Sequence, residues 1–163
     1  MRIGLSGMML LAMTGIATAQ SLTLHGLGPT PVVLERAGIE ALGLTDLKDA
    51  RDETAAGPTQ PQETIWSGID LPRLLDSQGF DKLDRYGVRS ASIVVEAKDG
   101  YKAAFSWGEL FNGPAGKQVL LILKVDGAPL PERAGAFSLR SFSDTRPGPR
   151  HVRDVSTIRI IYN

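Results

Sequence analysis

The apolar run "QVLLILKVDGAPL" at positions 118–130 constrains the fold more than any other segment. It contains β-branched residues and a single charge before Asp126, a composition typical of a strand that is covered on both faces. We predict a central strand that turns at Asp126-Gly127. Pro129 and Pro131 are expected to keep the following segment out of the sheet, because proline cannot donate a backbone hydrogen bond.

Shorter strand patterns occur along the rest of the chain. "RSASIVVEA" and "YKAAFS" enclose "KDG", which predicts a hairpin with its turn at Asp99-Gly100. "PVVLERAGIEAL" predicts a strand that runs into a short helix ending near Gly43, and "DLKDARDET" predicts an edge strand. "AAGPTQPQ" indicates a loop, since glycine and proline interrupt a ladder. Further strands are predicted at "SLTLHGL", "ETIWSG", "AFSLRSF" and "VSTIRIIY".

Two short helices carry clear end signals. In "IDLPRLLDSQGF", Asp70 can cap the helix, Pro72 suits its first turn and Gly79 suits a left-handed stop. In "SWGE", Ser106 and Glu109 have the spacing of a capping box. Strands dominate without regular alternation with helices, so we predict an α+β fold of several packed small sheets with short helices.

The N-terminus resembles a secretory signal. Arg2 precedes the apolar segment "MMLLAMTGI", and Ala17-Thr18-Ala19 provides a small-residue cleavage site before Gln20. We therefore predict a signal peptide at 1–19, a single domain at 20–163, and a periplasmic or secreted protein. No later segment approaches the length of a membrane span, so none is expected after cleavage.

The composition excludes several kinds of function. Lysine plus arginine equals aspartate plus glutamate at 18 each, which gives no general electrostatic reason to bind nucleic acid. The chain has no cysteine, which removes disulfides, thiol nucleophiles and thiolate metal ligands. The two histidines lack metal-ligand spacing, so we expect no metal site. Any anion site must be local.

Positive charge is concentrated in "SFSDTRPGPRHVR" at positions 141–153. Guanidinium groups bind phosphate or carboxylate bidentately, and the Pro/Gly content would restrict the loop. The candidate binding residues are Arg146, Arg150 and Arg153, with Arg140 from the preceding strand. The alternative is that Asp144 and Asp154 pair with these arginines at the surface, which implies no ligand.

Three further residues are candidates near this loop. Trp66 and Tyr101 could form a stacking wall beside it, or could pack at the edge of the core. His151 could contact a ligand, or could be an ordinary hydrogen-bonded histidine.

Three motifs, in order, carry a resemblance to a known family from Thr64 onward: "IWSGIDLPRLLDSQG", "ASIVVEAKDGYKAAFSWGEL" and "LLILKVDGAPLPERAGAFSLRSFSDTRPGPRHVRDVSTIRI". They resemble the oxidoreductase molybdopterin-binding domain of the sulfite oxidase type, and most resemble its small, stand-alone, exported members. The resemblance implies an α+β fold of small sheets in layers. It also implies that Arg146, Arg150 and Arg153 lie where relatives bind the pterin and its phosphate.

The chain departs from this family in two respects. The resemblance implies a cysteine ligand to molybdenum in the stretch 50–63, which contains no thiol. The n-region has one arginine, whereas exported molybdopterin enzymes generally use a twin-arginine signal. Both departures favour a non-catalytic protein without a cofactor that binds a small anionic ligand or a periplasmic partner protein. The alternatives are an oxidoreductase, or a subunit of one, that binds molybdopterin, and an interaction or sensory module without a ligand.

Overall fold

The computed structural model of the chain describes residues 20–49, 63–146 and 148–162. Within these ranges the strands are β1 Ser21–His25, β2 Val32–Glu35, β3 Thr45–Asp49, β4 Thr64–Asp70, β5 Ser92–Ala97, β6 Lys102–Ser106, β7 Val119–Val125, β8 Ala128–Pro129, β9 Ser138–Ser141 and β10 Val155–Ile161. The helices are α1 Arg36–Ala41, α2 Leu71–Ser77 and α3 Trp107–Phe111, with short 3₁₀ turns between elements. The predicted α+β class is confirmed.

The first sheet has the strand order β2-β1-β10-β5-β6. The last strand of the chain lies at its centre, parallel to β1 and antiparallel to β5. Alternate residues of β1 and β5 are buried, as the period of a half-buried strand requires. The predicted β5–β6 hairpin is confirmed, and Gly100 has the positive φ of 89° that its turn needs.

The second sheet has the order β3-β4-β7-β8, and β9 also pairs with β7. β7 is buried on both faces over its first five residues, which confirms the predicted central strand. Residues 46–49 of the predicted edge strand lie in β3, which pairs with β4 at the end of the strand order, and residues 50–54 of that prediction lie outside the described residues.

The expectation that Pro129 lies outside the sheet is wrong. Ala128 and Pro129 form the two-residue strand β8, which pairs with Val125 and Lys124. The tight Asp126-Gly127 turn brings them beside β7, and a proline is tolerated there because β8 is an edge strand.

The helix signals are confirmed. The Asp70 side chain accepts a hydrogen bond from the Arg73 amide at 3.0 Å, and Gly79 has a φ of 93° just after α2. Ser106 and Glu109 form the complete capping box at the start of α3.

One buried apolar cluster contains residues of both sheets. Arg36 ties α1 to the second sheet, because its guanidinium donates to the Leu123 carbonyl in β7 and to the Ala136 carbonyl just before β9, both at 2.8 Å. The predicted signal at 1–19 and the predicted loop at 55–62 lie outside the described residues. Of the helices in the described ranges, none has the length and apolar character of a membrane span.

Candidate functional site

Arg150 is held by a network that ties residues 141–153, which we call the arginine loop, to α3. Its guanidinium pairs with both carboxylate oxygens of Asp144, with Nε–Oδ2 at 2.8 Å, and with Glu109 Oε1 at 2.9 Å. It also lies 4.7 Å from the centre of the Phe105 ring. The hydrogen bonds with Asp144 have the largest effect and, together with those to Glu109, raise the pKa of Arg150 above its ordinary value. Ser141 in turn donates to Asp144 at 2.8 Å, so Arg150 is built into the scaffold.

Arg140 is fully buried on β9. Its Nη2 lies 2.5 Å from Asp49 Oδ2, and its guanidinium carbon lies 5.1 Å and 5.0 Å from the ring centres of Trp66 and Phe142. A desolvated guanidinium between two rings gains cation–π attraction in addition to its ion pair. The Trp66 ring also meets His151 edge-on at 6.2 Å.

Tyr101 and Arg146 occupy different environments in the same region. The Tyr101 hydroxyl donates to the Pro149 carbonyl at 2.7 Å and so ties the arginine loop to the β5–β6 turn. Arg146 is exposed, and its side chain forms no hydrogen bond or ion pair with any residue of the described ranges.

His151 and Arg153 flank a buried residue that fixes their direction. Val152 forms an antiparallel bridge with Leu139, with hydrogen bonds of 2.8 Å in both directions. Because residues two apart in an extended segment share a face, the side chains of His151 and Arg153 lie on the side opposite Val152. Arg153 is exposed, whereas His151 is 8% exposed.

This side borders a cleft of about 630 Å³, which we call the first cleft. Its lining residues are Lys98, Asp99, Tyr101, Arg133, Gly148, His151, Arg153 and Asp154. Lys98 is paired with Asp154 at 2.9 Å. Arg133 is exposed and forms no ion pair or hydrogen bond with any part of the chain that the structure describes.

Backbone contacts fix the wall that carries Arg133. It lies in the 3₁₀ turn Glu132–Ala134, where the Ala134 carbonyl accepts from the Asp154 amide at 2.8 Å. Gly135 ends this turn with a φ of 68°, and a Cβ there would collide with the Asp154 carboxylate. The position therefore requires glycine, and the turn lies close to the segment of Arg153.

A second cleft of about 260 Å³ adjoins the first, since Arg133, His151 and Arg153 line both. Its other lining residues are Thr64, Trp66, Val125, Asp126, Leu130, Pro131, Ala134 and Ser138. Most of these side chains are apolar. The indole N–H of Trp66 is buried and has no hydrogen-bond acceptor within the described ranges.

The predicted site residues thus divide into three places. Tyr101, His151 and Arg153 line the first cleft, and Trp66 lines the second together with His151 and Arg153. Arg140, Arg146 and Arg150 are among the lining residues of neither, and the first and last of them are held by carboxylates. Of the two predicted aspartates, Asp144 pairs with Arg150, whereas Asp154 pairs with Lys98.

The first cleft is also lined by Lys98 and Arg133, which are not among the predicted site residues. The segment "LPERAGA" carries a signal that could have indicated Arg133, because Pro131 and Gly135 bound a single turn and expose the charge between them. Lys98 lies at the start of the hairpin turn, where no local pattern distinguishes it from a solvated lysine.

The donor set does not fit a molybdenum centre with a protein sulfur ligand, because the chain has no cysteine. Among the described residues, no group of three histidine, aspartate or glutamate side chains could hold a metal ion.

No protein-family model and no curated protein matches the sequence. Among solved structures, the chain is similar to the sulfane dehydrogenase SoxCD from Paracoccus pantotrophus, with a TM-score of 0.62 and 17% identity. The match covers 86% of this chain and 37% of the SoxCD chain, so this chain spans little more than a third of that protein. At this identity the similarity shows a shared fold, and it is consistent with the fold relation that the motifs predicted.

Proposed function

We propose that this chain is an exported protein that binds a small anion in the first cleft and performs no molybdenum chemistry. The observation that carries the proposal is the guanidinium of Arg133, which has no carboxylate partner in the described ranges and faces the same cleft as Arg153 and Lys98. The proposal retains Arg153, His151 and Tyr101 from the predicted site.

The charges around the cleft favour an anion. The lining carries three positive side chains against the two carboxylates of Asp99 and Asp154. Asp154 pairs with Lys98, and the Asp99 carboxylate keeps its charge while it accepts from the Tyr101 amide at 2.9 Å. Arg133 and Arg153 both line this cleft, and the guanidinium fork of Arg133 matches carboxylate and phosphate oxygens. A site of this kind in a neutral chain binds by local geometry rather than by the field of the whole protein.

The absence of molybdenum catalysis is proposed from the chain's chemistry. A protein thiolate holds the metal in the enzymes that the motifs resemble, and this sequence has none to offer.

The test is calorimetric titration of the purified protein with sulfate, phosphate and acetate at low ionic strength. Arg133→Ala should weaken binding at least about tenfold, since a charge-assisted hydrogen bond contributes about 1.5–3 kcal/mol. Binding should also weaken as salt is added.

Arg146→Ala is the matched control, because it removes the same charge from an exposed side chain outside both clefts. It should change the affinity less than twofold. The anion site is refuted if no anion gives saturable binding, or if both variants lower the affinity equally.

One observation favours a second candidate function. The fold is shared with a protein that is by its name a dehydrogenase, which supports an oxidoreductase that binds a pterin cofactor. Acid oxidation of the purified protein, together with metal analysis, separates the candidates. A fluorescent pterin and molybdenum in stoichiometric amounts would establish the second candidate and overturn the first. If neither pterin nor any anion binds, both candidates are overturned.

A further inference from the structure

We infer that the anion bound in the first cleft is organic, with one charged head group and a short aliphatic chain that extends into the second cleft. This inference rests on the proposed anion site and goes further by naming the chemical class of the ligand. Arg133, His151 and Arg153 line both clefts, so a head group bound there lies at the entrance to the second one.

One part of the second cleft's lining is apolar, beside polar side chains such as Thr64 and Ser138. Five apolar side chains form this part of the wall: Trp66, Val125, Leu130, Pro131 and Ala134. Water displaced from such a wall by methylene groups favours binding, because apolar surface is removed from water on both partners. An inorganic anion would leave this wall uncovered.

Asp126 disfavours a second negative charge in this cleft. It is one of the lining residues, and its carboxylate accepts a hydrogen bond from the Ile65 amide at 2.8 Å, which holds it in place. A ligand with an anionic group at each end would place one of them near this carboxylate, and like charges in close proximity are unfavourable. The site therefore favours monoanions over dianions of equal length.

Three carboxylates test the inference in the same titration: acetate, hexanoate and adipate. Hexanoate should bind at least about tenfold more tightly than acetate, since each fully buried methylene contributes about fourfold in affinity. Adipate has as many carbons as hexanoate and should bind at least about fivefold more weakly than hexanoate.

Leu130→Asn tests where the chain lies. It keeps the number of side-chain heavy atoms but makes the wall polar, so it should lower the affinity for hexanoate and leave that for acetate unchanged. Val33→Asn is the control, because Val33 is 59% exposed on β2 and lines neither cleft. Arg133→Ala should lower the affinities for acetate and for hexanoate by the same factor.

The outcomes separate this inference from the proposed function. If acetate and hexanoate bind equally and Arg133→Ala weakens both, the anion site stands and the aliphatic ligand is refuted. If no carboxylate or inorganic anion binds, the proposed function itself fails. If hexanoate binds more tightly but Leu130→Asn has no effect, the chain does not lie in the second cleft and the inference is overturned.

Discussion

Arg140 and Arg150 are held by carboxylates and aromatic rings, whereas Arg133 has neither within the described residues. The first two come from the part of the sequence where arginine is densest, and the third lies apart from it. Clustering of a charged residue type along the chain therefore does not by itself distinguish a ligand site from arginines that hold the fold together. An arginine that the protein leaves without a partner beside a cavity is the more informative feature.

The physical reason is the cost of desolvation. An arginine that is taken out of water must regain its interactions from carboxylates, carbonyls or rings, which then hold it rigidly. Arg140 follows this rule with Asp49, and Arg36 does so with backbone carbonyls. We call these two and Arg150 the scaffold arginines. An exposed guanidinium such as Arg133 keeps its water and can exchange it for a ligand.

Replacement of a scaffold arginine in the core should have the largest effect. Arg140→Ala leaves the buried Asp49 carboxylate without its guanidinium and opens a space between Trp66 and Phe142. We expect a loss of about 3–5 kcal/mol in the free energy of unfolding, measured by urea denaturation.

The double variant Arg140→Met, Asp49→Leu is the control for this prediction, because it removes both charges and fills the space. It should recover most of the stability. A loss below about 1 kcal/mol in the single variant would mean that the buried pair contributes little, and Arg140 would not belong with the scaffold arginines.

Arg36→Met should have an intermediate effect. It removes two hydrogen bonds that join α1 to the Leu123 and Ala136 carbonyls, while the methionine keeps much of the apolar stem. We expect a loss of about 2 kcal/mol, because partly buried carbonyls lose their donors. Arg85→Met, at an exposed position, should change the unfolding free energy by less than about 0.5 kcal/mol. Equal effects of the two changes would contradict a bridging role for Arg36.

The contribution of the Arg150 network to stability can be tested by comparing the unfolding free energies of the parent and Glu109→Gln as a function of pH. The Ser106 amide, followed by Arg150, lowers the pKa of Glu109 below its ordinary value of 4.5. A lowered pKa stabilises the fold above pH 4.5, and this contribution is lost as the pH falls through the folded-state pKa.

Glutamine keeps the capping-box geometry but not the charge. The free energy of unfolding of the parent should therefore exceed that of Glu109→Gln by about 0.5–1 kcal/mol near neutral pH. This difference should vanish in acid. Ser106→Ala is the control, because it retains the backbone amide that donates to Glu109. Its unfolding free energy, measured by denaturation, should depend on pH as that of the parent does. A difference between the parent and Glu109→Gln that stays constant down to acidic pH would show that the charge of Glu109 is not involved.

Local signals predicted the elements of the fold but not their arrangement. The Asp70 and Ser106 caps and the β5–β6 hairpin are written in short stretches of sequence, because caps and tight turns depend on a few neighbouring residues. The central position of β10 depends on pairing with strands far away in the chain, which no local pattern specifies. Pro129 shows the same limit, since an edge position made its pairing acceptable.

The candidate site could be predicted only in part for a similar reason. One charged loop and its expected neighbour indicate His151, Arg153 and Tyr101. The cleft is instead assembled from three separate segments, which the Asp154–Ala134 and Lys98–Asp154 backbone hydrogen bonds hold together. Arg133 enters the cleft through those contacts, so local sequence could indicate its exposure but not its position.

Replacement of Arg133 should have the smallest effect on stability. Arg133→Ala removes an exposed side chain that contacts no carboxylate in the described ranges, so the unfolding free energy should change by less than about 0.5 kcal/mol. Arg150→Ala is the matched comparison, because it removes the same group from a position paired with Asp144 and Glu109 and should cost more. A loss above about 1 kcal/mol for Arg133→Ala would mean that the protein uses this guanidinium for its own stability. The distinction between the scaffold arginines and Arg133 would then fail, and the anion site would lose its main support.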